Sequence, residues 1–122
     1  MANNKVETFT ATIYCGLRNR DTGCVHPVSY ARELLQKYTD AVGLCVTLTE
    51  TEYIYTRGSE KGIIVGLINY PRFPSSTEKI KQQALLIAEI LMLNLEQYRV
   101  TVVFPDLTVM LSNPKLVGTD EV

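Results

Sequence analysis

The stretch Ala84-Leu85-Leu86-Ile87-Ala88-Glu89-Ile90-Leu91-Met92-Leu93-Asn94-Leu95 constrains this chain more than any other, because only Glu89 and Asn94 in it are polar. It is too short to span a bilayer, which takes about 20 apolar residues. As a helix on one sheet face it would need an apolar stripe of only about 100°. It is apolar almost all round, so a second surface must cover it. Deep burial under another helix is one solution, and a homo-oligomer interface is the other.

The rest of the chain supplies the layer for this helix to pack on. Phe9, Ala11, Ile13, Cys15 and Leu17 alternate with Thr8, Thr10, Thr12 and Tyr14, so Thr8 to Leu17 reads as a half-buried strand. A charged loop over 18–23 follows. Pro27 suits the first turn of a helix. Ala31, Leu34, Leu35, Tyr38 and Val42 then fall on one helical face, with Gly43 as its C-cap. Leu44 to Thr49 alternates again and extends toward Tyr55. Arg57 to Gly62 carries two glycines and reads as a turn, and Ile63 to Tyr70 is apolar on both faces, as a central strand is. Ser75 and Glu78 offer a capping box for a second helix over Thr77 to Gln97. Tyr98 to Phe104 is a strand, Pro105-Asp106 a turn, and Leu107 to Leu111 a short hairpin partner. The order is β-α-β-β-α-β with an extra C-terminal strand. It predicts an α+β fold, a split βαβ sandwich: an antiparallel sheet with two helices on one face. The 122 residues make one domain, 1–122, with 112–122 as a flexible tail.

Composition removes many functions. Twelve Lys and Arg against thirteen Asp and Glu give a net charge of -1, which disfavours a binder of bulk nucleic acid or of a membrane surface. The polar N-terminus has no apolar run of a signal peptide behind it. Three cysteines, Cys15, Cys24 and Cys45, have no close pairing and suit free thiols in a reducing cytosol. One histidine excludes a multi-histidine metal site. No CxxC, GxGxxG or P-loop is present. Lys61 to Ile68 loosely matches an RNA-recognition strand, but Ile63, Val65 and Ile68 stand where stacking aromatics belong. His26 and Cys24 lie two apart, without the orienting third group that a nucleophilic dyad requires, so His26 reads as structural or capping.

The connector Asn69-Tyr70-Pro71-Arg72-Phe73-Pro74 carries the most chemistry. Asn69 offers donors and an acceptor for a base edge. Tyr70 and Phe73 offer stacking faces, and Arg72 can fork onto a phosphate. The two prolines stiffen the loop, which delivers the chain to a helix N-terminus, where anions are favoured. The competing reading is a plain connector, with Phe73 stapled to the core and Arg72 solvated. Arg18, Arg57 and Arg99 matter only if they converge with Arg72. Tyr14, Tyr53 and Tyr55, among outward-facing threonines, line a groove or cover a neighbouring subunit.

Four stretches in combination, Gly43-Leu44-Cys45-Val46-Thr47, Glu52-Tyr53-Ile54-Tyr55-Thr56, Ile64 to Pro74 and Tyr98 to Asp106, resemble the first Thoeris anti-defence family of phages. The resemblance covers Thr8 to Leu111. It implies a sponge that binds cyclic ADP-ribose isomers in the host bacterial cytoplasm without cleaving them. Some members also hold cyclic oligonucleotides at a second site. The resemblance further implies homo-oligomers, dimers assembling to hexamers, and no cofactor, metal or catalytic residue. Guided by it, the expected ligand contacts are Tyr14, Arg18, Arg57, Asn69, Tyr70, Arg72, Phe73 and Arg99. On this expectation the protein is not an enzyme. A phosphodiesterase-like enzyme acting on the same signal is the alternative, and a structural adaptor without a small ligand is a third.

Overall fold

The structure, a computed structural model, describes residues 3–115. Its elements run β1 (Thr10–Gly16), α1 (Val28–Val42), β2 (Thr47–Tyr55), β3 (Gly58–Ile68), α2 (Thr77–Asn94), β4 (Arg99–Val103) and β5 (Thr108–Ser112). The five strands form one antiparallel sheet in the order β2-β3-β1-β4-β5. This is the expected α+β architecture. β3 enters between β1 and β2 because the β2–β3 hairpin folds back beside the strand that α1 left.

One face of the sheet carries the core. Ile13, Cys15, Ile63, Val65, Val100 and Val102 are fully or almost fully buried there, against Ala84, Ile87, Ala88 and Leu91 of α2. α1 adds Ala31 and Leu35, and ends at Gly43, whose φ of 70° is the left-handed conformation glycine tolerates. Sheet and α1 together cover most of α2. Leu86 and Leu93 stay exposed on its outer side, so the second covering that the helix demands is largely supplied within the chain.

Four local readings differ from the structure. Pro27 is the N-cap of α1 rather than its first helical residue. Ser76, not Ser75, caps α2, its side chain accepting from the Lys79 amide at 3.2 Å. Ser75 is unavailable because its own N–H donates to Asn69 Oδ1 at 2.8 Å. Gly62 lies inside β3 rather than in a turn: the hairpin closes at Thr56-Arg57, where Arg57 takes a φ of 62°. Ser112 closes β5 and Asn113 is buried, its amide donating to the Gln97 carbonyl at 3.1 Å, within the stretch read as a tail. The tail residues 116–122 lie outside the described residues.

The other sheet face has no helix on it. Register lays two complete rows across all five strands: Thr47, Gly66, Thr12, Val103 and Thr108, then Thr49, Ile64, Tyr14, Thr101 and Met110. Neither row contains a charged residue. Charge on this face is concentrated at one end, where β1 finishes and β3 begins.

Candidate functional site

At that end Gly16 pairs with Gly62, and Tyr53 of β2 pairs with Glu60. The glycines matter because side chains lie across them. A Cβ at Gly62 would run into the Tyr53 ring and come within 2.7 Å of the Cys15 carbonyl oxygen. At Gly16 it would sit 2.6 Å from Gln97 Oε1 and 3.4 Å from Glu60 Oε1. The absence of two side chains thus lets a ring, a carboxylate and an amide converge on the sheet.

Tyr53 is fixed from its far end. Its hydroxyl donates to the Ile63 carbonyl at 2.6 Å and accepts from the Cys15 N–H at 3.1 Å, standing between β3 and β1. Burial pushes its pKa up to about 12, with the fields of Cys15, Tyr14 and Glu60 adding to the rise, against the lowering by the Cys15 hydrogen bond. At neutral pH it is a neutral phenol and no base. The Cys15 thiol, on the core side, is likewise pushed up to about 12, by burial first and Glu60 second, and is no nucleophile. Arg18 completes the cluster. It lies 3.6 Å from Glu60 and donates to the Tyr55 hydroxyl at 3.1 Å. The Gln97 amide donates to the Arg18 carbonyl at 3.0 Å and so ties down the same corner. The arrangement offers aromatic faces, a carboxylate for a ligand diol or cation, and a guanidinium. It offers no activated nucleophile.

The eight residues expected as ligand contacts divide between the two ends of the sheet. Tyr14, Arg18, Arg57 and Arg99 lie on or beside the helix-free face toward the Gly16–Gly62 end. Asn69, Tyr70, Arg72 and Phe73 lie past the other end of β3, Asn69 about 23 Å along the strand from Gly62 at roughly 3.3 Å per residue. Asn69 works structurally there, donating to the Glu7 carbonyl at 2.8 Å while accepting from Ser75. The Tyr70 and Phe73 rings meet at 5.2 Å beside a cleft of about 160 Å³, also lined by Leu44, Lys79 and Gln83. Pockets for whole drug-sized ligands run to about 300–1,000 Å³, so this cleft suits only a fragment. Arg72 is exposed.

A second groove, of about 400 Å³, lies between the start of α1 and β2, with Glu50, Glu52, Lys61 and His26 on its walls. His26 is neither a capping side chain nor placed by contact against Cys24. Its Nε2 lies 3.2 Å from Glu96, without hydrogen-bond alignment, and its ring packs on Tyr30. Among the described residues no cluster of three or more His, Cys, Asp or Glu could hold a metal. No helix there is long and apolar enough to cross a membrane.

Glu60, Gly62 and Gln97 are the candidate site residues that sequence reasoning missed; from sequence Tyr53 reads as lining a groove or covering a neighbouring subunit, and not as a ligand contact. The only signal was the unusual pair of tyrosines, Tyr53 and Tyr55, on an otherwise Thr- and Glu-rich strand.

No protein-family model matches the chain, and no curated protein matches it in sequence. Solved structures do. A phage SAM lyase in complex with S-methyl-5'-thioadenosine superposes with a TM-score of 0.72 at 14% identity, over 97% of this chain and 98% of that one. A phage SAM lyase in the apo state gives 0.71 at 15%, over 87% and 90%. The shared fold spans nearly the whole of both chains. It corrects the expectation that the protein is not an enzyme, since the fold found here is one that carries a lyase. That expectation comes from the resemblance to a sponge family, and the lack of a nucleophile motif that agrees with it excludes only reactions that need one.

Proposed function

We propose that this protein binds an adenosine-containing small molecule at the Gly16–Gly62 end of its helix-free sheet face and acts on it as an enzyme, with S-adenosylmethionine as the first substrate to test. The end-to-end match to a fold solved with a thioadenosine carries the reading. The cluster supports it chemically. Tyr53 and Tyr14 give faces for a purine or for a sulfonium cation, and Glu60 gives an acceptor for a ribose diol.

S-methyl-5'-thioadenosine is what remains when the bond from the sulfonium sulfur to the methionine side chain breaks with its electron pair going to sulfur. The thioether leaves neutral and takes no proton. The methionine fragment's own carboxylate can close on the carbon that sulfur vacates. Such a reaction needs positioning and water exclusion rather than a side-chain nucleophile, which fits a site whose phenol and thiol both stay protonated.

A second ligand class rests on Arg18, Arg57 and Arg99 at the same end, which suit a pyrophosphate. This is the cyclic ADP-ribose signal that the Thoeris anti-defence resemblance implies. Either ligand is made inside bacteria, so the protein's work belongs to the host cytoplasm. The test is incubation with each compound, followed by chromatography. Conversion of S-adenosylmethionine to S-methyl-5'-thioadenosine is expected. Glu60→Gln should weaken binding by about 10- to 100-fold, the worth of one hydrogen bond to a charged group. Absence of both binding and turnover with each of the two compounds would refute the proposal.

A further inference from the structure

We propose that the outer edge of β2 takes an extended peptide as a sixth strand, one that carries an apolar residue and two basic residues at alternate positions. Nothing in this depends on what the Gly16–Gly62 end binds.

β2 ends the sheet on one side. An edge strand presents a row of N–H and C=O groups to any extended chain that can pair with them. Proteins blunt such edges with short strands, bulges, prolines or lysines. β5, at the opposite edge, is short, with five residues. β2 uses none of these devices. It pairs with β3 over nine consecutive residues, Thr47 to Tyr55, without a bulge, and it holds no proline and no lysine. A long, regular edge is a template for strand addition, in which main-chain hydrogen bonds give affinity and alternate side chains give specificity.

The side chains along this edge define what would fit. Leu48, Glu50, Glu52 and Ile54 alternate on the side of the sheet that carries the helices, opposite Val65, Ile63, Lys61 and Ser59 of β3. Leu48 packs against the core. Beyond it Glu50, Glu52 and Ile54 are exposed, Ile54 at 81%. Among the described residues neither glutamate has an ion-pair partner. Both stand on the wall of the groove of about 400 Å³ beside the start of α1, which the aliphatic Leu17, Val25, Pro27 and Val28 also line.

The same carboxylates select the occupant. A second copy added antiparallel about Thr51 would set Glu50 against Glu52, and like charges directly opposite destabilise a strand pair. Lysine or arginine is favoured there instead, with its apolar stem along the aliphatic groove and its charge at the carboxylate. Antiparallel addition is the more stable pairing. Read from its N-terminus, the peptide then sets an apolar residue opposite Ile54, a basic residue opposite Glu52 and a second basic residue opposite Glu50. The residues between them fall beside Tyr53 and Thr51 and suit threonine.

Fluorescence anisotropy of the full chain with a labelled, end-capped peptide Thr-Val-Thr-Lys-Thr-Lys-Thr tests this. One control replaces both lysines with glutamate. The other replaces the two threonines that flank the first lysine with proline, which keeps the charges and cannot complete the ladder. The lysine peptide should bind at least about tenfold more tightly than either control. Glu50 and Glu52 are exposed, so the double variant Glu50→Lys, Glu52→Lys leaves the core intact. It should reverse the preference, so that the glutamate peptide binds more tightly than the lysine peptide. Absence of binding by the lysine peptide, equal binding of either control, or an unchanged preference in the double variant overturns the inference.

Discussion

Replacing Gly62 with alanine tests the physical basis of the site more sharply than any charge change. The new Cβ would overlap the Tyr53 ring and lie 2.7 Å from the Cys15 carbonyl, a backbone atom. The ring cannot swing away freely, because its hydroxyl is held between the Ile63 carbonyl and the Cys15 N–H. Overpacking costs about 1–3 kcal/mol. Pulling the hydroxyl out of the ladder adds about 1 kcal/mol. Removing a glycine from a strand returns about 0.5–1 kcal/mol. The balance is a loss of roughly 1–3.5 kcal/mol, equivalent to a fall of about 3–14 °C in Tm for a domain of this size. Gly66→Ala on the same strand is the control. Its Cβ would meet only Thr47 Oγ1 at 2.6 Å, the end of a side chain that can rotate, so its cost should stay under about 1 kcal/mol. Thermal unfolding of both variants, followed by circular dichroism, decides. If Gly62→Ala melts like Gly66→Ala, the Tyr53 anchor does not exist as described.

Three further outcomes follow from the geometry. Buried Cys15, its thiol pushed up to about 12, should resist a thiol reagent at neutral pH while exposed Cys24 and Cys45 react; a third thiol reacting before denaturation would contradict this. Asp106 has its pKa held below the ordinary carboxylate range by its hydrogen bond to Lys81, so the contribution of this pair is present at neutral pH and is lost as pH falls through that lowered value. Lys81→Ala should raise the Asp106 titration midpoint seen by NMR, and an unmoved midpoint would exclude the pair as its cause. Arg72→Ala should leave affinity for S-methyl-5'-thioadenosine within about twofold, as expected of a surface residue far from the ligand; a larger loss would return the site to the connector.

The layered fold was legible because each strand and helix carries its own period. Alternation in Phe9 to Leu17 and the helical spacing of Ala31 to Val42 depend on neighbours along the chain. The apolar helix over Thr77–Asn94 was equally plain, although sequence could not say that the sheet and α1 would cover most of it. The site was not legible, because register makes it. Gly62 next to Gly58 and Arg57 looks like a turn until Tyr53 is seen lying across it from the neighbouring strand. Arg18 and Glu60, 42 positions apart in the chain, are brought together by pairings that no local pattern shows. The Asn69–Phe73 connector drew attention because its chemistry is contiguous, yet its amide is spent holding the loop to Glu7 and Ser75.

The most direct measurement is an amide NMR titration of the 15N-labelled protein with S-methyl-5'-thioadenosine. Shift changes concentrated at Gly16, Tyr53, Glu60 and Gly62 are the predicted result. Changes centred on Tyr70 to Ser75, or none at saturating ligand, would contradict the account.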